Sequence, residues 1–493
     1  MTTVVPPAAG AGVATALPRA AGRARRATGL PVVQVVPVSA TLAANEAMAA
    51  RRARGQLVLP LAFGEAGLPV HPALRDALAA ATGANGYGPV AGQEALRTAA
   101  AGYWARRGLP TSPGQVVCGP GSKPLLYALL LAIGGDVALP RPSWVSYAAQ
   151  AALIGIRAHF VPAPVGEGGI PDPDALAAAA DTAAAASRPI RSVVVTLGDN
   201  PTGQLACPAT VAAFCEVATA RGLVIICDEI YRDLIHHPAT LVLSPAEAAA
   251  ERTVITTGAS KNLALGGWRI GVARMPAGPL GARLRRALLG AASEIWSAPS
   301  APVQQAAAVA FAEPPPIAER IAASRALHAQ VAAAVAGVCA AAGLLVAPPQ
   351  AGFYVYPDFE PLRDHLHRAH QVTTSAGLAR LLLQRYGAAT LPGSAFGEPP
   401  GALRLRLATA LLYGYTPQEQ EAALTAPDPT SLPPIAAALT RLSEILTDLA
   451  NTPPGVAASR AGAEPGDLAA PAHDQSASCP GQSRQLRLAP ITE

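Results

Sequence analysis

Two lysines, Lys123 and Lys261, are the only ones in a chain of 493 residues whose lysines and arginines together number 37. Arginine has otherwise taken over the cations, so chemistry is the first place to look for why an amine is kept. An ε-amine can shed its proton, attack a carbonyl and form an imine, whereas a guanidinium stays protonated and cannot. Lys261 follows Thr253-Val254-Ile255-Thr256-Thr257, a β-branched run that reads as a buried strand, and the small residues Gly258, Ala259 and Ser260. The amine is therefore expected at the carboxyl end of a strand, where open α/β sheets bind ligands. Just downstream, Gly266-Gly267-Trp268-Arg269-Ile270-Gly271 sets an arginine among glycines. That pattern lets backbone approach an anion while a guanidinium grips it.

Four other clusters carry polar or aromatic groups at turns. Gly119-Pro120-Gly121-Ser122-Lys123-Pro124 lies between a strand expected at 115–118 and an apolar helix at 125–133, and a helix N-terminus there offers free N–H groups to a phosphate. It lacks the GxxxxGK[ST] spacing of a P-loop. Pro140 to Tyr147 follows a strand expected at 137–139 and places Trp144 at its mouth, as core or as a stacking surface for a flat ring. Leu197 to Gly203 holds an Asn200-Pro201 turn, and Asp228-Glu229-Ile230-Tyr231 follows a strand expected at 223–227. Tyr87 stands alone in the loop 85–92.

The elements that must position these groups alternate. A helix is expected at 42–54, a strand at 56–61, helices at 73–82 and 93–106, and then strand and helix in turn up to the lysine segment. Continuous apolar strand runs between helices predict a mainly parallel sheet covered on both faces, an α/β three-layer sandwich. Helices near 276–290 and 300–312 close that unit, and Glu313-Pro314-Pro315-Pro316 marks a boundary before a long helix at 317–342. Strands near 344–347, 353–356 and 403–407 with helices near 360–369 and 375–385 predict a smaller α+β domain. Ile435, Leu439, Leu442, Leu446 and Leu449 form one apolar stripe expected to dock on it. The expected organisation is a disordered extension 1–30, an N-terminal part of the small domain 31–72, a large domain 73–312, a C-terminal small domain 313–450 and a disordered tail 451–493, without internal repeats.

Composition narrows the function. Hydrophobic residues make up 51% and charged residues 14%, as in a globular enzyme with more than one core. Net charge is +5, but the arginines are scattered and few aromatics interleave with them, so no nucleic-acid footprint is expected. No apolar run reaches the ~20 residues of a membrane span. The six cysteines show no CxxC pair or histidine partner, which predicts no metal site and buried thiols in a reducing cytoplasm. The first thirty residues superficially resemble a transit peptide but read as a biased extension.

Taken in order, the Tyr87 loop, GSK, PSWVSY, DNPTG, DEIY, SKNLALGGWRIG and LRLRLAT resemble the class I/II aminotransferases, pyridoxal-phosphate enzymes of fold type I, nearest to the bacterial aspartate aminotransferase-like subgroup. The resemblance covers roughly residues 35–450. It implies a homodimer with active sites at the subunit interface, a cofactor domain and a mobile small domain. It implies that Lys261 holds the cofactor and shuttles the α-proton, that Asp228 pairs with the pyridine nitrogen, and that Asn200 and Tyr231 bond the phenolic oxygen. Trp144 would stack on the ring. Arg269, Gly121 and Ser122 would hold the phosphate, with Tyr87 reaching the phosphate of the neighbouring subunit. For the substrate, Arg404, five residues before Thr409, aligns with the arginine that clamps the α-carboxylate, assisted by the backbone of Gly64; Arg406 faces the same side of a strand and stays open as a substitute. Lys123 resembles the lysine of a Gly-Ala-Lys-Gln motif that meets a distal carboxylate, which points to aspartate or glutamate, although Pro124 replaces the glutamine. The implied reaction is ping-pong transfer of an amino group from an L-amino acid to a 2-oxo acid; a lyase, cyclase, decarboxylase or oxidase on the same cofactor is the alternative.

Overall fold

Seven strands form the central sheet of the computed structural model, which describes residues 38–453. The expected extension 1–30 and all but the first residues of the tail lie outside the described residues. In chain order the strands are β1 (Leu59–Pro60), β2 (Val116–Gly119), β3 (Asp136–Arg141), β4 (Ala158–Pro162), β5 (Ile190–Thr196), β6 (Val224–Asp228), β7 (Thr253–Gly258), β8 (Gly271–Arg274), β9 (Tyr354–Val355), β10 (Ala388–Ala389), β11 (Leu391–Pro392) and β12 (Leu405–Ala408). The helices are α1 (Ala40–Ala53), α2 (Pro72–Ala80), α3 (Glu94–Ala105), α4 (Ser122–Ile133), α5 (Val145–Ile154), α6 (Pro173–Ala185), α7 (Pro208–Ala220), α8 (Pro245–Ala248), α9 (Gly278–Ile295), α10 (Ala301–Ala312), α11 (Pro315–Ala341), α12 (Arg363–His370), α13 (Ser375–Tyr386), α14 (Pro417–Thr425) and α15 (Pro433–Asn451).

The central order is β2-β8-β7-β6-β5-β3-β4, all parallel except β8, which runs antiparallel to both neighbours. β8 has no counterpart in the pattern reading, because Gly271–Arg274 is short and follows the glycine-rich turn directly. Alternation along β7 explains the layers: Val254 faces a cluster with α4 and α9, and Ile255 faces one with α3 and α10. Every residue of β6 and β7 is buried, as apolar runs covered on both faces require.

The second region comprises the antiparallel trio β11-β12-β9, the parallel pair β1-β10, and α11 to α15. Its core also takes in Ile230, Tyr231 and Leu234, which directly follow β6, so the described chain forms one compact unit. No strand forms at 344–347; Leu345 makes only an isolated bridge to Asp358. Ile435, Leu442, Leu446 and Leu449 of α15 are buried against this core, at about 1.5–3 kcal/mol for each large side chain removed from water. Helix α11 is long and apolar enough by composition to cross a bilayer. Eleven of its residues are nonetheless buried in the protein, among them Arg320, which donates to the Pro69 carbonyl at 2.6 Å. Four of the five described cysteines are buried as expected, but Cys207 is exposed as the N-cap of α7.

Candidate active site

The carboxyl ends of β2, β3, β5, β6 and β7 open onto a cavity of about 470 Å³. The turns after these strands line its floor, while β9 and β12 of the second region, together with α1 and the Phe63–Glu65 segment, close it. The cavity thus spans both regions, each supplying groups that the other cannot reach.

Lys261 leaves the end of β7 on a turn in which Ala264 adopts a positive φ of 57°. Its Nζ donates to the Gly64 carbonyl at 2.5 Å. Burial pulls the amine down to about 8, and the Arg406 guanidinium pushes the same way. Neutral amine is thereby accessible near physiological pH, as attack on a carbonyl requires. Gly64 therefore holds the lysine through its carbonyl oxygen.

Asp228 ends β6 and is 2% exposed. Its Oδ2 accepts from the Tyr147 hydroxyl at 3.0 Å, whereas its buried Oδ1 has no partner. Burial pushes the carboxyl up to about 6, against hydrogen bonds from Tyr147 and the Ile230 backbone that favour the charged form. A buried carboxylate with one orphaned oxygen on a cavity wall fits a ligand that brings a cationic N–H. Tyr147 lies one helical turn after Trp144, and their rings meet edge to face at 5.3 Å. That spacing was the available signal for Tyr147, masked because Tyr147 also reads as core.

The anion cradle sits at the start of α4. Gly121 is its N-cap with φ 97° and supplies no capping side chain, leaving the first-turn N–H groups to a ligand. The φ of 97° favours glycine, and a Cβ on Gly121 would push the Arg269 guanidinium out of the cradle. Arg269, itself at φ 53°, donates NH1 to the Gly266 carbonyl at 2.9 Å and NH2 to the Pro120 carbonyl at 3.3 Å. Lys123 reaches the same cavity with Nζ 5.0 Å from the Trp144 ring centroid. Burial, and then the Arg269 charge, hold its amine below its ordinary value. Phosphate, ring and carbonyl carbon each find a matching group in this set.

The arginine assignment needs correction. Arg404 precedes β12 and lies outside the cavity, donating Nε to Asp358 at 2.9 Å and NH1 to Glu398 at 2.9 Å. Arg406 is the cavity arginine, 1% exposed, donating NH1 to Asn200 Oδ1 at 3.0 Å and NH2 to the Ala62 carbonyl at 2.5 Å. Its guanidinium lies 4.8 Å from the Tyr354 ring and 5.1 Å from that of Phe396, and its Nε is buried without a partner. The two arginines share a parity, but carboxylates at the near end of the segment capture the first and leave the second to the cavity.

Asn200 and Tyr231 are brought together through Tyr354, which pattern reading does not single out. The Tyr231 and Tyr354 hydroxyls are 2.6 Å apart, and Asn200 Nδ2 stands 3.5 Å from Tyr354 Oη. Tyr354 sits in a strand of two residues next to Phe353, where no spacing separates a cavity residue from core. Tyr87, like Arg404, is an expected site residue that the fold leaves apart from the cavity, and it is 96% exposed.

Comparison with known proteins places this constellation. The family model for aminotransferase class I and II matches residues 59–412. An aspartate aminotransferase of Geobacillus stearothermophilus is 32% identical, covering 76% of this chain and 92% of its own. An aspartate/prephenate aminotransferase of Cereibacter sphaeroides is 31% identical over 76% and 93%. Among solved structures, the aspartate aminotransferase of Thermus thermophilus with maleate superposes with TM-score 0.69 at 26% identity, covering 83% of this chain and 97% of that one. With the lysine, the orphaned carboxylate and the anion cradle converging on one cavity, the chain belongs to the class I and II aminotransferases and is a pyridoxal-phosphate-dependent enzyme of their α/β fold.

Proposed function

We propose that this aminotransferase takes a dicarboxylic L-amino acid, of the aspartate or glutamate class, as donor and a 2-oxo acid as acceptor. The observation that carries this is that Lys123 lines the same cavity as Arg406, in addition to Lys261 and Arg269, which the cofactor engages. The relatives named above as aspartate aminotransferases are in keeping with it. When bound, pyridoxal phosphate supplies a carbonyl carbon for amines and a ring that accepts electron density from the substrate α-carbon. Gly121, Ser122 and Arg269 would hold its phosphate, Asp228 would keep its ring nitrogen protonated, Trp144 would stack on the ring, and Asn200 with Tyr231 would bond its phenolic oxygen. Arg406 takes the substrate α-carboxylate through its free Nε edge, and Lys123 takes the distal carboxylate. Lys261, released from the Gly64 carbonyl, moves the proton at the substrate α-carbon.

The exposed Tyr87 fits the same reading if the enzyme works as a homodimer, with this phenol reaching the partner's phosphate cradle. Buried, unpaired cysteines fit a cytoplasmic enzyme. The test is a half-reaction screen of amino acids, read as loss of the cofactor's long-wavelength absorbance. Aspartate and glutamate should convert the enzyme fastest, and Lys261→Ala should abolish turnover. Full turnover in that variant would end the assignment, and release of ammonia, CO₂ or hydrogen peroxide would indicate another reaction on the same cofactor.

A further inference from the structure

Behind the reacting lysine lies a buried polar network that the chemistry described so far does not use. Asn262, the residue after Lys261, is 7% exposed and donates Nδ2 to Asp233 Oδ2 at 2.8 Å. The same oxygen accepts from the Tyr103 hydroxyl at 3.0 Å. Asp233 Oδ1 accepts from Arg107 through Nε at 3.0 Å and NH2 at 2.7 Å. Arg107 lies over the Tyr103 ring at 3.5 Å and continues to Glu313, its NH2 donating to Oε1 at 2.6 Å. One carboxylate thus ties together the turn that carries Lys261, the segment two residues past Tyr231, helix α3 and the end of α10.

From this geometry we infer that Asn262 and Asp233 are positioning residues for Lys261. The argument rests on Lys261 being the reacting amine. The lysine sits on an irregular turn outside β7, with Ala264 at positive φ, closed by a single backbone bond from the Leu265 N–H to the Ala259 carbonyl at 3.0 Å that brackets Lys261 without engaging its own backbone. A side-chain bond from the next residue adds a restraint inside that turn, directly beside the lysine. The anchor is itself immobile, since both oxygens of Asp233 are occupied and its side chain is 8% exposed. Because Asp233 lies on the same segment as Asp228 and Tyr231, the bond sets the amine relative to the groups that hold the cofactor. A displacement of about 1 Å at such a group can cost on the order of 100-fold in rate.

A merely structural role predicts a different pattern from a positioning role. Asn262→Ala should lower kcat at least about tenfold with KM for both substrates within about twofold, as expected when an interaction realised at the reacting atoms is lost. It should also slow covalent capture of added pyridoxal phosphate by the apo-enzyme, measured by borohydride reduction and mass at Lys261. Asp233→Ala should match it. Asp233→Asn should recover most of the rate: once the Asn262 amide turns over, its Oδ1, otherwise buried and unpartnered, can accept from the new amide, so the tie survives loss of the charge. If Asn262→Ala does not fold, Asn262→Ser, whose hydroxyl stops short of Asp233, takes its place. The inference is overturned if the folded Asn262 variant keeps the wild-type kcat and capture rate, or if Asp233→Asn is as poor as Asp233→Ala. Lys261→Ala run alongside separates the two ideas: activity surviving there would remove the premise, whereas an inactive Lys261→Ala with an unaffected Asn262→Ala would remove only the tie.

Discussion

Truncating Arg406 and Arg404 in parallel tests which arginine the fold assigns to the substrate carboxylate. Arg406 is 1% exposed, holds Asn200 and the Ala62 carbonyl, and keeps a buried Nε free. Arg406→Ala removes a buried charge-assisted contact and leaves Asn200 Oδ1 without its donor. Loss of one partner from such a pair costs about 2–5 kcal/mol. At about 1.4 kcal/mol per tenfold, that is roughly 30- to 4,000-fold in kcat/KM for an amino acid. Arg404 has a side chain 41% exposed, paired with Asp358, 20% exposed, and with Glu398, 6% exposed. The Asp358 pair contributes about 0–1 kcal/mol, and loss of the guanidinium leaves Glu398 buried without its partner, at about 1–3 kcal/mol. Arg404→Ala should therefore leave kcat/KM within about threefold and lower stability by about 1–3 kcal/mol. Single-turnover absorbance with an amino acid, repeated with an alkylamine lacking the carboxylate, isolates the contact: Arg406→Ala should lose its handicap on the amine. A larger loss of amino-acid kcat/KM in Arg404→Ala than in Arg406→Ala would refute the assignment.

Four further outcomes follow from the site. Asp228 has a folded pKa of about 6, above the usual carboxylate value, so the apo-protein binds more protons than the unfolded chain between about pH 4 and 6 and loses stability as pH rises through that window. Asp228→Asn apo-protein should thus melt higher than wild type at pH 7, on the order of 2 kcal/mol, and the gap should shrink at pH 4.5; an equal gap at both pH values would contradict the burial argument. In the loaded enzyme the same substitution should cut turnover by at least about 100-fold, since it removes the charge that keeps the ring nitrogen protonated. Gly121→Ala, at φ 97° and against Arg269, should weaken cofactor binding at least about tenfold in a tryptophan-fluorescence titration of apo-enzyme while the fold persists. Lys123→Gln should lower the preference for aspartate over alanine at least about tenfold in the half-reaction, with alanine itself changed by less than about threefold.

Groups whose role depends on a few consecutive residues were legible in the chain. Lys261 after a β-branched strand, Gly121-Ser122 before an apolar helix and Asp228 after another strand each state their geometry locally, because strand, turn and helix start are short-range structures. Parallel sheet order placed them together, and continuous apolar runs implied such a sheet. What tertiary structure decided depends on distant partners. Asp358 and Glu398, rather than any feature of LRLRLAT, divert Arg404 and leave Arg406 to Asn200. Tyr354 enters the cavity because β9 pairs with β12, and Asn262 gains its meaning from Asp233, 29 residues earlier. Pattern and propensity report which face of an element is apolar; which polar group wins a given buried partner is settled only when the elements are packed.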